Sequence, residues 1–154
     1  MGYKSSVRLG ISKKGYNDLI KYINKYCEKN KLEKDEILEI FNYANFKLVN
    51  KYQMYLGWDD IKWYHDYDDI MALESGLDYL KESNYTFKFS RMGEDFDDIE
   101  EIYNDGKRDI KENYYIDFPY LERFYNDDKI KNNLCMQDKL NNKIREQKRQ
   151  KSML

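Results

Sequence analysis

A chain of 154 residues with 41% hydrophobic side chains can bury the core of one domain without disulfides or a structural metal. No apolar run reaches the roughly 18 residues that a membrane helix needs, and the N terminus lacks the apolar region of a signal peptide. Two cysteines, Cys27 and Cys135, fit no metal-binding spacing, so we expect reduced thiols and neither a metal nor another cofactor.

The net charge of −2 conceals two oppositely charged parts. Residues 129–154 carry eight Lys and Arg side chains against two acids, which gives +6, so residues 1–128, with 19 basic and 27 acidic side chains, carry −8. The sequence therefore predicts an acidic body followed by a basic tail. Because contacts with phosphates need positive charge, we do not expect the body to bind nucleic acid directly.

The N-terminal third of the chain predicts a strand and two helices. Apolar residues alternate over 3–11, which is typical of a strand with one buried face. Helical spacing over 13–29 predicts an amphipathic helix with Ser12 as its N-cap. A short helix over 35–44, capped by Asp35, competes with a strand pattern in the same residues.

Strand and helix patterns continue through the middle of the chain. A strand pair is expected at 45–49 and 52–58, followed by a helix over 66–82 whose N-terminal acids suit the helix dipole. Residues 85–89 alternate as a half-buried strand, and a further strand near 99–103 precedes an Asn-Asp-Gly turn signal.

The C-terminal part is expected to add a strand at 113–118 and an amphipathic tail helix from Lys129 onward. This order of elements predicts a single α+β domain over 1–128 and a helical tail over 129–154. The domain is expected to be a ferredoxin-like variant, with a mainly antiparallel sheet and helices packed on one face.

Both tryptophans lie in one short segment between a strand and a helix. Because Trp and Tyr are enriched at binding hot spots, Trp58, Trp63 and Tyr64 are candidates for an exposed recognition platform. The alternative is that these rings wedge the sheet against the following helix. The sequence favours the wedge for Trp63 and leaves Trp58 undecided.

Six carboxylates fall within eight positions after the predicted strand at 85–89. They do not fit a calcium loop, because the position that requires glycine holds Glu100. Either this block is a solvated turn and strand edge, as charge runs usually are, or it docks against a basic groove by mimicking nucleic acid. Its members are Glu94, Asp95, Asp97, Asp98, Glu100 and Glu101.

Four segments carry a family resemblance: Met1 to Val7, the run Ile61-Lys62-Trp63-Tyr64 with Asp66-Tyr67, the helix after it, and Met92 to Asp95 with Asp97 to Glu100. With them the chain resembles, over roughly residues 1–118, a diffuse group of small phage and prophage proteins. It departs from the group at Lys4, where arginine is usual, and at Asp68, where proline is common. The resemblance implies a non-structural phage gene product in the bacterial cytoplasm and names no catalytic residue.

No motif in the chain predicts catalysis. The single histidine, His65, has no second His or Cys at ligand spacing, and neither Gly10 nor Gly15 fits a phosphate-binding loop. This absence argues against an enzyme. In the tail, basic residues could hold nucleic acid, but the favoured interpretation is that the helix folds back onto the acidic body or pairs with a second copy. These basic residues include Lys143, Arg145, Lys148 and Arg149.

These patterns favour a phage accessory protein that binds a host protein stoichiometrically, with the acidic block facing a basic groove. A host defence nuclease of the CRISPR kind is the most concrete target. An alternative is that the sheet and the segment from Trp58 to Asp69 form a pocket that binds or cleaves a nucleotide signal. A third hypothesis is a structural role in oligomerisation through the tail.

Overall fold

The structure is a computed structural model, and it describes residues 2–106, 116–119 and 125–136. The elements in these residues are β1 (Ser5–Ser12), α1 (Lys13–Asn30), α2 (Lys34–Asn42), β2 (Phe46–Val49), β3 (Gln53–Ile61), α3 (Asp68–Glu82), β4 (Phe87–Met92), β5 (Ile99–Asn104) and a helix α4 over 127–136.

The strands form one antiparallel sheet in the order β2-β3-β1-β4-β5. The unit β1-α1-β2-β3-α3-β4 has the split βαβ arrangement of ferredoxin-like domains. Helix α2 is added in the first crossover, and β5 is added beside β4. The α+β class and the ferredoxin-like variant that the sequence predicts are therefore confirmed.

Helix α1 shows how local sequence sets the element bounds. The Ser12 side chain accepts a hydrogen bond from the Gly15 backbone N–H at 3.0 Å, as predicted for its N-cap. Lys31 ends the helix in a left-handed conformation, with φ of 56°. Between these ends, Leu19, Ile23 and Cys27 follow one another at four-residue spacing and are buried.

The main core lies between the sheet and helices α1, α2 and α3. Alternate residues of the central strand β1, namely Val7, Leu9 and Ile11, are fully buried in it. Helices α1 and α3 approach closely at Gly76, where a Cβ would lie 2.4 Å from Leu19 Cδ1. Three helices therefore cover one face of the sheet, as predicted.

The opposite face of the sheet is covered by the C-terminal part of the chain. Ile130 and Leu134 of α4 form a second buried cluster with Tyr55 of β3. Residues 116–119 lie over Gly10, where a Cβ would be 2.9 Å from Ile116 Cγ2. The described part of the predicted tail thus folds back onto the body, and its helix begins at 127 rather than 129.

Three local predictions need correction. Strand β3 runs to Ile61, beyond the predicted end at 58, so Asp59 and Asp60 belong to the strand. The N-cap of α2 is Glu33, with no side-chain cap hydrogen bond, because the helix starts before the predicted cap, Asp35. Of the strand predicted at 113–118, residues 113–115 lie outside the described residues, and residues 116–118 are neither helix nor strand.

Candidate functional site

The two tryptophans belong to the core. Trp58 is 1% exposed and Trp63 is 4% exposed, with their ring centroids 5.9 Å apart. The Trp58 indole N–H donates to the Ile40 carbonyl oxygen at 2.8 Å, and that of Trp63 donates to Glu74 Oε1 at 3.1 Å. The hypothesis of an exposed platform is therefore wrong for both residues, and the wedge is confirmed for Trp63. Trp58 pairs with Val7 of β1, and strand alternation places both side chains on the helix-covered face.

Tyr64 is half-buried and acts in the local structure. Its hydroxyl oxygen accepts a hydrogen bond from the Tyr3 backbone N–H at 2.9 Å, and its ring contacts that of Tyr67 edge-on, with centroids 5.0 Å apart. These contacts fix the chain before β1 against the segment that follows β3. This position brings Tyr3 next to the acidic block.

The acidic block forms the connection between β4 and β5 and the first half of β5. Two backbone hydrogen bonds hold the connection together. The Gly93 N–H donates to the Asp98 carbonyl at 2.8 Å, and the Asp98 N–H donates to the Asp95 carbonyl at 3.1 Å. At Gly93 an added Cβ would lie within 2.3 Å of the Asp98 carboxylate and the Tyr3 hydroxyl. A side chain at position 93 would therefore displace the hydrogen-bonded pair of Tyr3 and Asp98.

A buried arginine holds the base of this connection. Arg91 is 6% exposed, and its guanidinium lies 2.6 Å from Asp98 Oδ1 and 2.7 Å from Glu100 Oε1. It also donates to Ser5 Oγ at 3.1 Å, and the Tyr3 hydroxyl donates to Asp98 Oδ2 at 2.6 Å. Two of the six predicted carboxylates, both partly exposed, are thus paired with one arginine.

The electrostatics follow from this geometry. The hydrogen bonds from Arg91, and then the one from Tyr3, hold the pKa of Asp98 at about 2. The same hydrogen bond to Asp98 is the main cause that raises the pKa of the Tyr3 hydroxyl. Asp98 and Glu100 therefore position the connection while their side chains stay partly exposed.

The tip of the connection, residues 94–97, is named the acidic loop here. Glu94, Asp95 and Asp97 are exposed, and Phe96 between them is 78% exposed, the highest value among the large hydrophobic side chains described. Glu94 also accepts a hydrogen bond from the Lys4 backbone N–H at 3.0 Å. The loop therefore presents one exposed aromatic ring flanked by three exposed carboxylates.

Glu101 lies outside the loop, on β5, and accepts a hydrogen bond from the Tyr103 hydroxyl at 2.7 Å.

His65 is 61% exposed in its side chain and lies 2.7 Å from Glu74 and 3.5 Å from Glu100. Within the described part of the chain, no group of three or more His, Cys, Asp and Glu side chains could hold a metal ion. His65 therefore lies between Glu74, in the middle of α3, and Glu100 of β5.

The sequence missed a charged cluster on the opposite face of the sheet. Arg8 is 3% exposed and forms ion pairs with Asp59 at 2.9 Å and with Asp127 at 3.1 Å. Its guanidinium lies between the rings of Phe46, 5.0 Å from the centroid, and Tyr125, 4.5 Å from the centroid. The only local signal was the place of Arg8 on the opposite side of the strand from Val7.

The predicted tail contacts Lys143, Arg145, Lys148 and Arg149 lie outside the described residues. Among the residues that the structure does describe, no helix is both long and apolar enough to cross a membrane. Comparison with protein-family models, with curated proteins and with solved structures finds nothing that matches this chain.

Proposed function

We propose that this chain is a phage accessory protein of the bacterial cytoplasm that binds a host protein stoichiometrically through the acidic loop. The observation that carries the proposal is Phe96, 78% exposed between three exposed carboxylates. Aromatic residues dominate the energetics of protein interfaces, and Phe96 presents one at the tip of the loop.

The way in which the loop is held also supports this function. Arg91 and Tyr3 hold Asp98 at the end of the connection through short hydrogen bonds, and the Tyr3 hydroxyl also accepts one from the Asp95 N–H at 3.0 Å. A loop that is already ordered loses less conformational entropy when it binds, so more of the contact energy appears as affinity. The two carboxylates that pair with the arginine, Asp98 and Glu100, are the ones that maintain the loop shape.

The partner that fits this surface carries a basic groove with an apolar recess for the Phe96 ring. Exposed carboxylates steer association with such a surface and make the affinity depend on salt. Proteins that bind nucleic acid have basic grooves of this kind, because they neutralise phosphates. A host defence nuclease, of the CRISPR kind in the most concrete form of the proposal, is therefore the class of target that we propose.

The test is retention of one host protein on immobilised full-length chain at low and high salt. We expect Phe96→Ala and the double variant Asp95→Lys with Asp97→Lys each to weaken retention by about tenfold or more, since each removes a contact worth roughly 1.4 kcal/mol. The matched control is Asp78→Lys with Glu82→Lys, which makes the same charge change on exposed positions of α3.

Equal retention by the loop variants and the control at both salt concentrations would contradict the proposal. A purified nuclease that is retained is then tested for cleavage of its substrate with one molar equivalent of the chain. We expect inhibition that Phe96→Ala relieves. If cleavage continues in the saturated complex, nuclease inhibition is excluded as the function, but binding through the acidic loop still stands.

A further inference from the structure

A cleft of about 460 Å³ lies on the helix-covered side of the molecule, between the end of α2 and the start of α3. Its volume falls within the range of small-molecule sites. The end of β3 supplies part of its wall, so most of the segment that the sequence analysis singled out, from Trp58 to Asp69, borders one space. The lining residues are Lys4, Ile40, Tyr43, Asn45, Trp58, Asp59, Asp60, Ile61, Lys62, Tyr67, Asp69 and Ile70.

The cleft combines buried apolar residues with exposed aromatic residues. Ile40, Trp58 and Ile70 are each 1% exposed. Tyr43, which follows α2, is 66% exposed, and Tyr67, which precedes α3, is 41% exposed. Tyrosine rings that remain accessible beside an apolar cleft are suited to stacking on a planar base.

The cleft is lined by both positively and negatively charged side chains. The positive ones are Lys4 and Lys62, and ammonium groups act as point charges for phosphate. Of the three carboxylates, that of Asp59 lies 2.9 Å from the buried guanidinium of Arg8, which leaves Asp60 and Asp69. Carboxylates near a ligand are acceptors for ribose hydroxyl groups and for exocyclic amines.

The backbone at the cleft is also unusual. Asp60 has a φ of 54°, in the left-handed region, at the end of β3. Residues in such conformations cluster at ligand sites, where the surrounding structure holds them in place. Asp69 accepts a hydrogen bond from the Ile70 N–H at 2.8 Å, and burial is the main cause that raises the pKa of its carboxyl group.

We infer that this cleft binds a mononucleotide, with its base against the tyrosines, its ribose near Asp60 and Asp69, and its phosphate near Lys4 and Lys62. The aromatic, acidic and basic side chains match the base, the ribose and the phosphate of a nucleotide. A free base, a sugar or a phosphate alone would match only one of these three groups of side chains. The inference concerns a different surface from the acidic loop and does not depend on the proposed function.

The position of Trp58 in the lining supplies a direct measurement. Titration of the full-length chain with AMP, GMP, CMP and UMP in separate experiments is followed by tryptophan fluorescence and by calorimetry. We expect a saturable change with at least one of them, and at least tenfold weaker binding of the corresponding nucleoside and of inorganic phosphate alone. Tryptophan fluorescence also reports from Trp63, whose ring lies 5.9 Å from that of Trp58.

The variants assign the binding to the cleft. Lys62→Glu, at an exposed position, is expected to weaken nucleotide binding at least tenfold without changing nucleoside binding. Lys14→Glu makes the same charge change at an exposed position of α1 that is not part of the cleft and is expected to have no effect.

Three results would overturn the inference: no saturable signal with any of the four nucleotides up to millimolar concentration, equal weakening by the two variants, or tight binding of a single-stranded oligonucleotide with no binding of mononucleotides. The last result would show that the cleft binds a single-stranded nucleic acid and not a free mononucleotide. Circular dichroism of each variant verifies that the fold is retained.

Discussion

Arg91 is the residue on which the shape of the acidic loop depends. Its guanidinium is buried and contacts Ser5 at the start of β1 and both Asp98 and Glu100 near the start of β5. An arginine can satisfy this many acceptors because its planar fork offers five N–H donors. At the residue scale the loop is therefore a consequence of one side chain beneath it.

Replacing Arg91 by alanine is expected to lower the free energy of unfolding by about 1–3 kcal/mol, because it leaves two partly buried carboxylates without their donor. The range is discounted for the exposure of Asp98 and Glu100, which is 32% and 37% for their side chains. Urea denaturation at neutral pH measures the loss. Arg91→Lys keeps the charge but not the planar guanidinium, so it should retain part of the stabilisation that Arg91 provides. An unchanged free energy of unfolding in both variants would contradict the assigned role.

The lowered pKa of Asp98, about 2, predicts how stability depends on pH. The carboxyl group titrates near 3.8 in the unfolded chain, so its stabilising effect is present above that pH and is lost as the pH falls towards 2. The difference in stability between the wild-type chain and Asp98→Asn should therefore shrink between pH 4 and pH 2. Urea denaturation across this range measures it, with Asp97→Asn, which leaves the ion pairs of Arg91 intact, as the control.

At the scale of the elements, α4 completes the second face of the sheet. Ile130 is 1% exposed and Leu134 is 4% exposed against Tyr55, while Arg8 and Asp127 join the start of this helix to β1. The sheet therefore has two apolar faces, and each needs a cover.

Ile130→Ala is expected to lower the free energy of unfolding by roughly 2–4 kcal/mol, the usual cost of emptying a buried site of this size. Met136→Ala, at a position that is 67% exposed on the same helix, should change it by less than about 0.5 kcal/mol. Equal effects of the two changes in urea denaturation would show that α4 does not pack as described.

At the scale of the whole molecule, the position of α4 bears on the hypothesis that the tail serves oligomerisation. The apolar residues Ile130 and Leu134, which would face a second copy, are buried in the same chain. Within the described part of the tail, intramolecular packing therefore uses the surface that pairing through this helix would need.

Truncation after Asp128 should expose Tyr55, Phe46 and Leu48, which lie beneath α4. We expect the truncated chain to be less stable and to self-associate more than the full chain, because it presents an uncovered apolar face. Truncation after Met136 retains α4 and is the matched control. Light scattering after gel filtration measures the mass, and an oligomer that becomes monomeric only in the shorter variant would instead support the oligomerisation hypothesis.

The sequence by itself determined the features that depend on neighbouring residues. Helix α1 with its Ser12 cap, the alternation of β1 and the acidic character of the β4–β5 connection follow from periodicity and charge within a few positions. The α+β class follows from the order of these elements.

Only the tertiary structure decided which side chains meet. Tyr3 and Asp98 are 95 positions apart, and Arg8 and Asp127 are 119 apart, so no local pattern relates them. The pairing of β1 with β4 brings Tyr3 close to Asp98, and the packing of α4 on the sheet brings Asp127 to Arg8. Burial and ion pairing are properties of the packed protein, whereas periodicity is a property of the chain. This is why the elements and the acidic block could be predicted and the contacts that shape the site could not.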